Sequence, residues 1–348
     1  MRTPLTVGVV GAGTKGLTLA RAFEGLPHAE LRWLCDESAE QRAFIQSKYP
    51  QTLVAADADQ VFMDESLDSV VIAAPPETHY SLARRALEAD KHVFVDAPLA
   101  LTGEKADDLV NRAMTRDRRL MVGHLVLFDP AVTKLKELMS AGNLGDLYYL
   151  ASKRLGCRSS GRNGDALRAV LVEEVAVLLF LLSDQPIEVA TRAESYLGTD
   201  ATDVIFCFLK FATGITAHIH ASTLEPREAR LLMVVGSNGT AVFDDTRTDY
   251  KLTIYENRDR VAPNRGERGV PALGDAVSPP LPCDEPVRLA CESFLACVRS
   301  PRLVPDNARQ AAAIVHILGA ANRSIEGGGN SEELAGPPGE AKVIELPV

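Results

Sequence analysis

The chain has 348 residues, 46% hydrophobic and 24% charged, with a formal net charge of −10 at pH 7. That length suggests two domains with a sizeable core, and the acidic balance argues against nucleic acid or anionic membrane as the main partner. No apolar run is long enough to span a bilayer and the N-terminus enters a strand directly, so a cytoplasmic protein is expected.

The first element is an apolar strand, Leu5-Thr6-Val7-Gly8-Val9-Val10, which runs into Gly11-Ala12-Gly13-Thr14-Lys15-Gly16. A helix-compatible stretch follows, and a second apolar run over 31–35 ends on Asp36. Alone, a G-x-G-x-x-G string is weak; between a strand and a helix it is the fingerprint of a dinucleotide-binding turn. Gly11 permits the tight turn, Gly13 lets backbone amides approach a pyrophosphate, and Gly16 lets the helix pack closely on the strand. The anion then meets a helix N-terminus. Asp36 is placed to accept from ribose hydroxyls and would repel a 2′-phosphate, which favours NAD over NADP. The alternative is a glycine turn with no ligand.

Strand and helix alternate up to about residue 123: a helix over 39–48, an acidic segment over 55–68 with little strand character, and a buried strand over 69–74. The strand stops at Pro75-Pro76 and is followed by a helix over 78–89, a strand over 92–95, a helix over 103–115 and a strand over 120–123. Five or six strands suffice for a doubly wound parallel sheet. From Pro130 the pattern changes. A helix over 131–141 and a strand over 147–154 precede an Arg-, Ser- and Gly-rich loop over 156–164 and a nearly all-apolar helix over 169–182. Six strands follow, over 188–196, 203–211, 215–222, 229–235, 240–244 and 251–255, and read as an antiparallel sheet. A surface loop is expected over 257–282, two helices over 286–299 and 306–326, and a mobile tail from Gly327 that could hold a short strand over 343–346. The domains expected are 1–123, dinucleotide-binding; 124–330, for substrate and oligomerisation; and a tail, 331–348. The six cysteines lack C-x-x-C spacing and read as reduced thiols. His218 and His220 share a strand face, but a metal would need further ligands, so none is expected.

The chain resembles the glucose–fructose oxidoreductase / inositol dehydrogenase (Gfo/Idh/MocA) family. The resemblance rests on VGVVGAGTKG at 7–16, Val71 to Pro76 with Thr78-His79-Tyr80, KHVFVDAPLA at 91–100, and Gly123-His124 with Phe128-Asp129-Pro130-Ala131. VVGSNGTAVFDD at 234–245 and ANRSIEGGG at 321–329 extend it, and 134–154 with 217–225 are most similar to the nucleotide-sugar branch. It implies an α/β fold: an N-terminal Rossmann doubly wound parallel sheet, plus a C-terminal α/β domain with an open, mainly antiparallel sheet. One face of that sheet carries the pocket, and the other commonly forms a homo-oligomer interface. Candidate cofactor residues are Gly11, Gly13, Thr14, Lys15, Gly16 and Asp36, with Ala74, Pro75, His79, Asp96 and Pro98 from the carboxyl ends of later strands.

Two departures stand out. Family members usually carry Glu-Lys-Pro after the strand that ends near residue 95, and here the tripeptide is Asp96-Ala97-Pro98. On the helix that opens the sheet domain a histidine usually accepts the proton, often with aspartates four residues before and three after. Counting back from Leu181-Leu182-Ser183, those positions are Ala169, Glu173 and Ala176. Hydride transfer from a carbinol needs a base for the hydroxyl proton, and alanine is none. Glu173 is the best substitute if burial raises its pKa, and Glu174 beside it would push one of the pair up. The alternative is that both are first-turn glutamates favouring a helix N-terminus. His124 at the domain junction is a third catalytic candidate. Arg158, Arg162 and Arg168 would suit a diphosphate or carboxylate if they face the pocket, and form a solvated basic loop otherwise. Asp165 is either a substrate contact or an N-cap. Three functions follow: an NAD-dependent oxidoreductase on a sugar or nucleotide-sugar; a non-redox enzyme (elimination, cyclisation or glycosidic cleavage) that retains NAD(H); and an inactive binding or partner subunit.

Overall fold

The computed structural model describes residues 3–156, 166–198, 201–257, 273–300 and 307–334. In chain order it opens with β1 (Leu5–Val10), α1 (Thr14–Glu24), β2 (Ala29–Cys35), α2 (Ala39–Lys48), β3 (Leu53–Ala55) and α3 (Ala58–Phe62). β4 (Ser69–Ile72), α4 (Pro76–Glu88), β5 (His92–Asp96), α5 (Gly103–Thr115) and β6 (Leu120–Gly123) complete the alternation. All six strands are parallel, in the order β3-β2-β1-β4-β5-β6. The order reverses beside β1, which makes the carboxyl ends of β1 and β4 the switch point where ligands bind in such sheets. β1, β4, β5 and β6 are buried nearly throughout, as strands covered on both faces must be.

The segment over 55–68 has little strand, as expected: only its first residue, Ala55, belongs to the edge strand β3, which pairs with β2 and lies mostly ahead of the segment. The segment holds α3, capped by the Asp57 carboxylate on Asp59 N–H at 3.0 Å. Three residues at a sheet edge carry too little alternation to read as a strand.

The second unit begins with α6 (Pro130–Ser140), capped by Asp129, then β7 (Leu147–Leu155) and α7 (Ala166–Leu182). β8 (Pro186–Glu194), β9 (Val204–Phe211), β10 (Thr216–Ser222), β11 (Ala229–Gly236), β12 (Gly239–Asp244), β13 (Leu252–Asn257) and β14 (Leu273–Val277) follow. α8 (Pro286–Arg299), α9 (Ala308–Glu326) and β15 (Glu332–Glu333) close the described chain. The nine-stranded sheet runs β14-β13-β12-β11-β7-β10-β9-β8-β15, with β7 and β10 parallel and every other pair antiparallel. α7 packs on β7 and β10, and every residue from Val175 to Leu181 is at most 5% exposed. A helix apolar on all sides is a buried one.

β14 lies inside the stretch expected to be loop. It is held by backbone pairing to β13, and its short sequence, Leu273-Gly274-Asp275-Ala276-Val277, has too little β-branched or aromatic character to stand out from the Pro-, Gly- and charge-rich stretch around it. The expected strand over 343–346 lies outside the described residues.

Contacts divide the chain into two compact units, one running to Phe128 and including Asp284–Gly319, the other Asp129–Cys283 with the segment from Ala320. Unlike the expected division at 123/124, this returns α8 to the first unit. Phe294 of α8 meets Phe23 and Phe94 edge-on, with centroids 6.3 and 5.6 Å apart. The Asn307 side chain completes the edge strand β6, accepting from Val122 N–H at 2.7 Å and donating to Val122 C=O at 2.8 Å. Among the described residues no helix is long and apolar enough to cross a membrane.

Candidate active site

In the first unit the site is built by the turn from β1 to α1. Gly11 has φ +87°, and a Cβ there would lie 2.6 Å from Ala74 N. At Gly16 a Cβ would meet the Gly11 carbonyl oxygen at 1.8 Å. Both glycines are therefore demanded by close backbone approach. Gly13 differs: a Cβ on it would meet nothing within 4 Å, so the turn is open there. Gly13 is also the N-cap of α1 and supplies no side-chain bond to the helix amides, while Thr14 and Lys15 are exposed beside it. An uncapped helix N-terminus facing open space suits a pyrophosphate.

Asp36 is positioned from both sides. Its Oδ2 accepts from Ala12 N–H and its Oδ1 from Ser38 N–H, each at 2.9 Å. A carboxylate oxygen has a second acceptor site, so Asp36 retains capacity for ribose hydroxyls. Neighbouring Cys35 is no nucleophile, since burial, with Asp57 and Asp36 nearby, pushes its thiol up to about 12.

At the ends of β4 and β5 the residues Ala74, Pro75, His79, Asp96 and Pro98 come together. The His79 ring is fully buried, with Nε2 2.8 Å from the Ala74 carbonyl oxygen and Nδ1 2.7 Å from that of Pro98. It ties the two strand ends rather than presenting its ring to a ligand. Pro75 is exposed and precedes α4, with Thr78 Oγ donating to its carbonyl at 2.7 Å. Asp96 is 9% exposed and its Oδ2 lies 2.7 Å from Lys15 Nζ. The Ala97 methyl packs against the core of this unit. The His124 ring is also buried, at 2% exposure, just before the turn of 3₁₀ helix Leu125–Phe128.

The second unit separates the two glutamates. Glu174 is 3% exposed and turned onto β7, accepting from Ser152 Oγ and from Arg154 Nε. Glu173 stands at intermediate exposure, one helical step of about 100° away. Glu174 is thus engaged by Ser152 and Arg154, one helical step round from Glu173. The ion pairs continue from Arg154 Nη1 to Asp245 at 3.6 Å and from Asp245 to Lys251 at 3.1 Å. Lys251 also reaches Asp129 at 2.9 Å, and although its burial lowers its pKa, the bonds to these two carboxylates leave it raised. The sequence reading missed both partners of Glu174: Ser152 and Arg154 are two apart on β7 and so share the face toward α7, and that period of two is the signal that marks them. Ala169 is exposed and Ala176 fully buried. Arg168 is exposed near the start of α7, while Arg158, Arg162 and Asp165 lie outside the described residues.

The opposite face of the large sheet carries Tyr149, Phe206 and Phe208, which are 38%, 40% and 56% exposed. His220 stacks on Phe206 at 4.5 Å, and burial, with Lys153 and His220 nearby, lowers the pKa of His218. Among the described residues no group of three or more His, Cys, Asp or Glu could hold a metal ion.

Residues 5–124 match the family described as "Oxidoreductase family, NAD-binding Rossmann fold", and residues 132–242 match the "GFO/IDH/MocA C-terminal domain". Inositol 2-dehydrogenase 1 of Saccharopolyspora erythraea is 29% identical over 302 residues, covering 77% of this chain and 89% of that one. UDP-N-acetylglucosamine 3-dehydrogenase of Acidithiobacillus ferrooxidans is 24% identical over 273 residues, 78% and 82% of the two chains. The solved structure of an A. ferrooxidans enzyme of that name superposes with a TM-score of 0.81 at 22% identity, over 94% of this chain and 99% of that one. GenD2 from gentamicin A biosynthesis, solved with NAD, superposes at 0.79 and 22% identity, over 96% and 97%. The chain belongs to the Gfo/Idh/MocA family of oxidoreductases, with the NAD-binding Rossmann fold of that family.

Proposed function

We propose that the protein is an NAD-dependent dehydrogenase of a sugar or sugar-like polyol, free or nucleotide-linked, with an atypical proton-handling site. The observation that carries this reading is the β1–α1 turn: Gly11 and Gly16 packed against backbone, Gly13 open and uncapped, and Asp36 fixed with acceptor capacity to spare. Bound there, NAD supplies the hydride acceptor. The α1 amides hold its pyrophosphate, Asp36 accepts from the adenosine ribose, and His79 keeps the ends of β4 and β5 in place. The activities named for the inositol and UDP-N-acetylglucosamine relatives support a polyol or sugar-nucleotide substrate.

Glu173 takes the hydroxyl proton in this reading. It stands where the resemblance expects the family's base, and its neighbour Glu174 is already committed to Ser152 and Arg154. Arg168, with Arg158, Arg162 and Asp165, would bind a charged group of the substrate; His124 would line the pocket. The aromatic face formed by Tyr149, Phe206 and Phe208 supports a homo-oligomer built through the open sheet.

A second reading has its own observation. Position 97 is a methyl against the core, with no capacity to hold or move a proton, which favours a reaction without net oxidation on retained NAD(H). One experiment separates them: incubation with NAD and either inositol or UDP-N-acetylglucosamine, following both the reduced-nicotinamide absorbance and the substrate. Growth of the band supports the dehydrogenase. Substrate conversion without it supports the second reading, and nucleotide binding with no conversion of either compound counts against both for these substrates.

A further inference from the structure

The ion pair between Lys15 and Asp96 is explained neither by packing nor by the phosphate turn. Lys15 leaves the first turn of α1, yet its ammonium lies 2.7 Å from a carboxylate at the carboxyl end of β5. In the sheet order β3-β2-β1-β4-β5-β6, Asp36 follows β2 on one side of β1, and Asp96 lies on the other side, beyond β4. A dinucleotide lies across the switch point with one mononucleotide half on each side. If Asp36 takes the adenosine ribose, the Lys15–Asp96 pair stands in the nicotinamide half. The lysine side chain is 71% exposed, so the pair contributes little to stability, whereas the Asp96 side chain is 13% exposed and held in a tripeptide anchored by His79 on the Pro98 carbonyl.

We propose that Lys15 and Asp96 set the balance between the two redox forms of the cofactor. This rests on the NAD-binding reading of the same site. The oxidised nicotinamide ring carries a positive charge and the reduced ring none, while the pyrophosphate charge is the same in both. An ammonium in the nicotinamide half disfavours the oxidised form, a carboxylate favours it, and the pair holds the two influences close to cancellation. Removing either partner unbalances them in opposite directions.

The test needs no substrate. Dissociation constants for NAD⁺ and NADH are measured separately, by calorimetry and by nicotinamide fluorescence, on the wild type, Lys15→Met, Lys15→Arg and Asp96→Asn. Lys15→Met is expected to shift the ratio of the two constants toward NAD⁺, and Asp96→Asn toward NADH. Each shift should be about three- to tenfold, the size of one charge acting across several ångström of a partly hydrated cleft. Lys15→Arg keeps the charge and should leave the ratio unchanged. Equal weakening of both forms in Lys15→Met would place the lysine on the pyrophosphate and overturn the proposal, as would a ratio that moves in neither variant. A wild type that binds neither nucleotide refutes the cofactor reading itself, an outcome distinct from a fixed ratio.

Discussion

Replacing Arg154 by methionine tests whether Glu174 is a structural charge. The Glu174 carboxylate is 3% exposed and accepts from Ser152 and Arg154. Arg154→Met leaves it with the serine alone in a dry setting. Removing one partner of a buried ion pair costs about 3–5 kcal/mol, and the lower end applies because Ser152 remains and the Arg154 side chain is 15% exposed. Glu174→Gln is milder, about 1–2 kcal/mol, since Arg154 keeps Asp245 at 3.6 Å and the amide still accepts from Ser152. The double variant should cost about 2 kcal/mol, less than the sum of the singles, because no uncompensated carboxylate is left. Hydrogen exchange of the β7 and α7 amides reads this locally, which matters in a chain of two compact units where a single unfolding midpoint is ill defined. NADH affinity should stay within about threefold in all three variants, because none of them alters a proposed nucleotide contact. Equal costs for the singles, with additivity in the double, would refute the assignment of Arg154 as the group that compensates Glu174.

Three further outcomes are expected. Glu173→Gln should lower turnover on whichever substrate is converted by about 10²–10⁴ while leaving the NADH dissociation constant unchanged, and unaltered turnover would remove Glu173 as the base. Asp36→Ser should narrow the preference for NAD over NADP by about tenfold or more in competitive titrations; an unchanged preference would mean that Asp36 does not face the ribose. His92 is held down to about 4 by burial and by Arg118 and Arg119, so its ring stays neutral in the fold at pH values where the unfolded chain takes up a proton. Stability should therefore fall as pH drops from about 6.5 to 4, by at most about 3 kcal/mol from this group. His92→Asn, which can still accept from Arg119 N–H, should flatten that slope in denaturant titrations, and identical slopes would exclude His92 as its source.

What could be read in the sequence was what depends on local backbone. The hexamer from Gly11 to Gly16 carries its own signature, since Gly16 packs on the Gly11 carbonyl within the β1–α1 turn, and Asp36 is placed by the strand it ends. The alternation of strand and helix up to residue 123 was equally legible. Edge elements were not: β3 is three residues long, and β14 depends on the backbone of β13 rather than on its own composition. The return of α8 to the first unit was hidden because an amphipathic face does not name its partner, here Phe294 against Phe23 and Phe94. Side-chain partners far apart in the chain were the least legible. Lys15 and Asp96 meet across 81 positions, and only the sheet order brings them together. The partners of Glu174 were equally hidden: Ser152 and Arg154 lie 22 and 20 residues before it, on β7.

The account stands on a working dinucleotide cradle at the β1–α1 turn, and the most direct measurement is a fluorescence titration of the wild-type chain with NADH, repeated with NADPH and with a Gly16→Ala variant. Saturable NADH binding, tighter than that of NADPH and lost in Gly16→Ala, is the result expected, because the added methyl would occupy the space of the Gly11 carbonyl. No saturable binding of either nucleotide to a folded wild-type chain would contradict it.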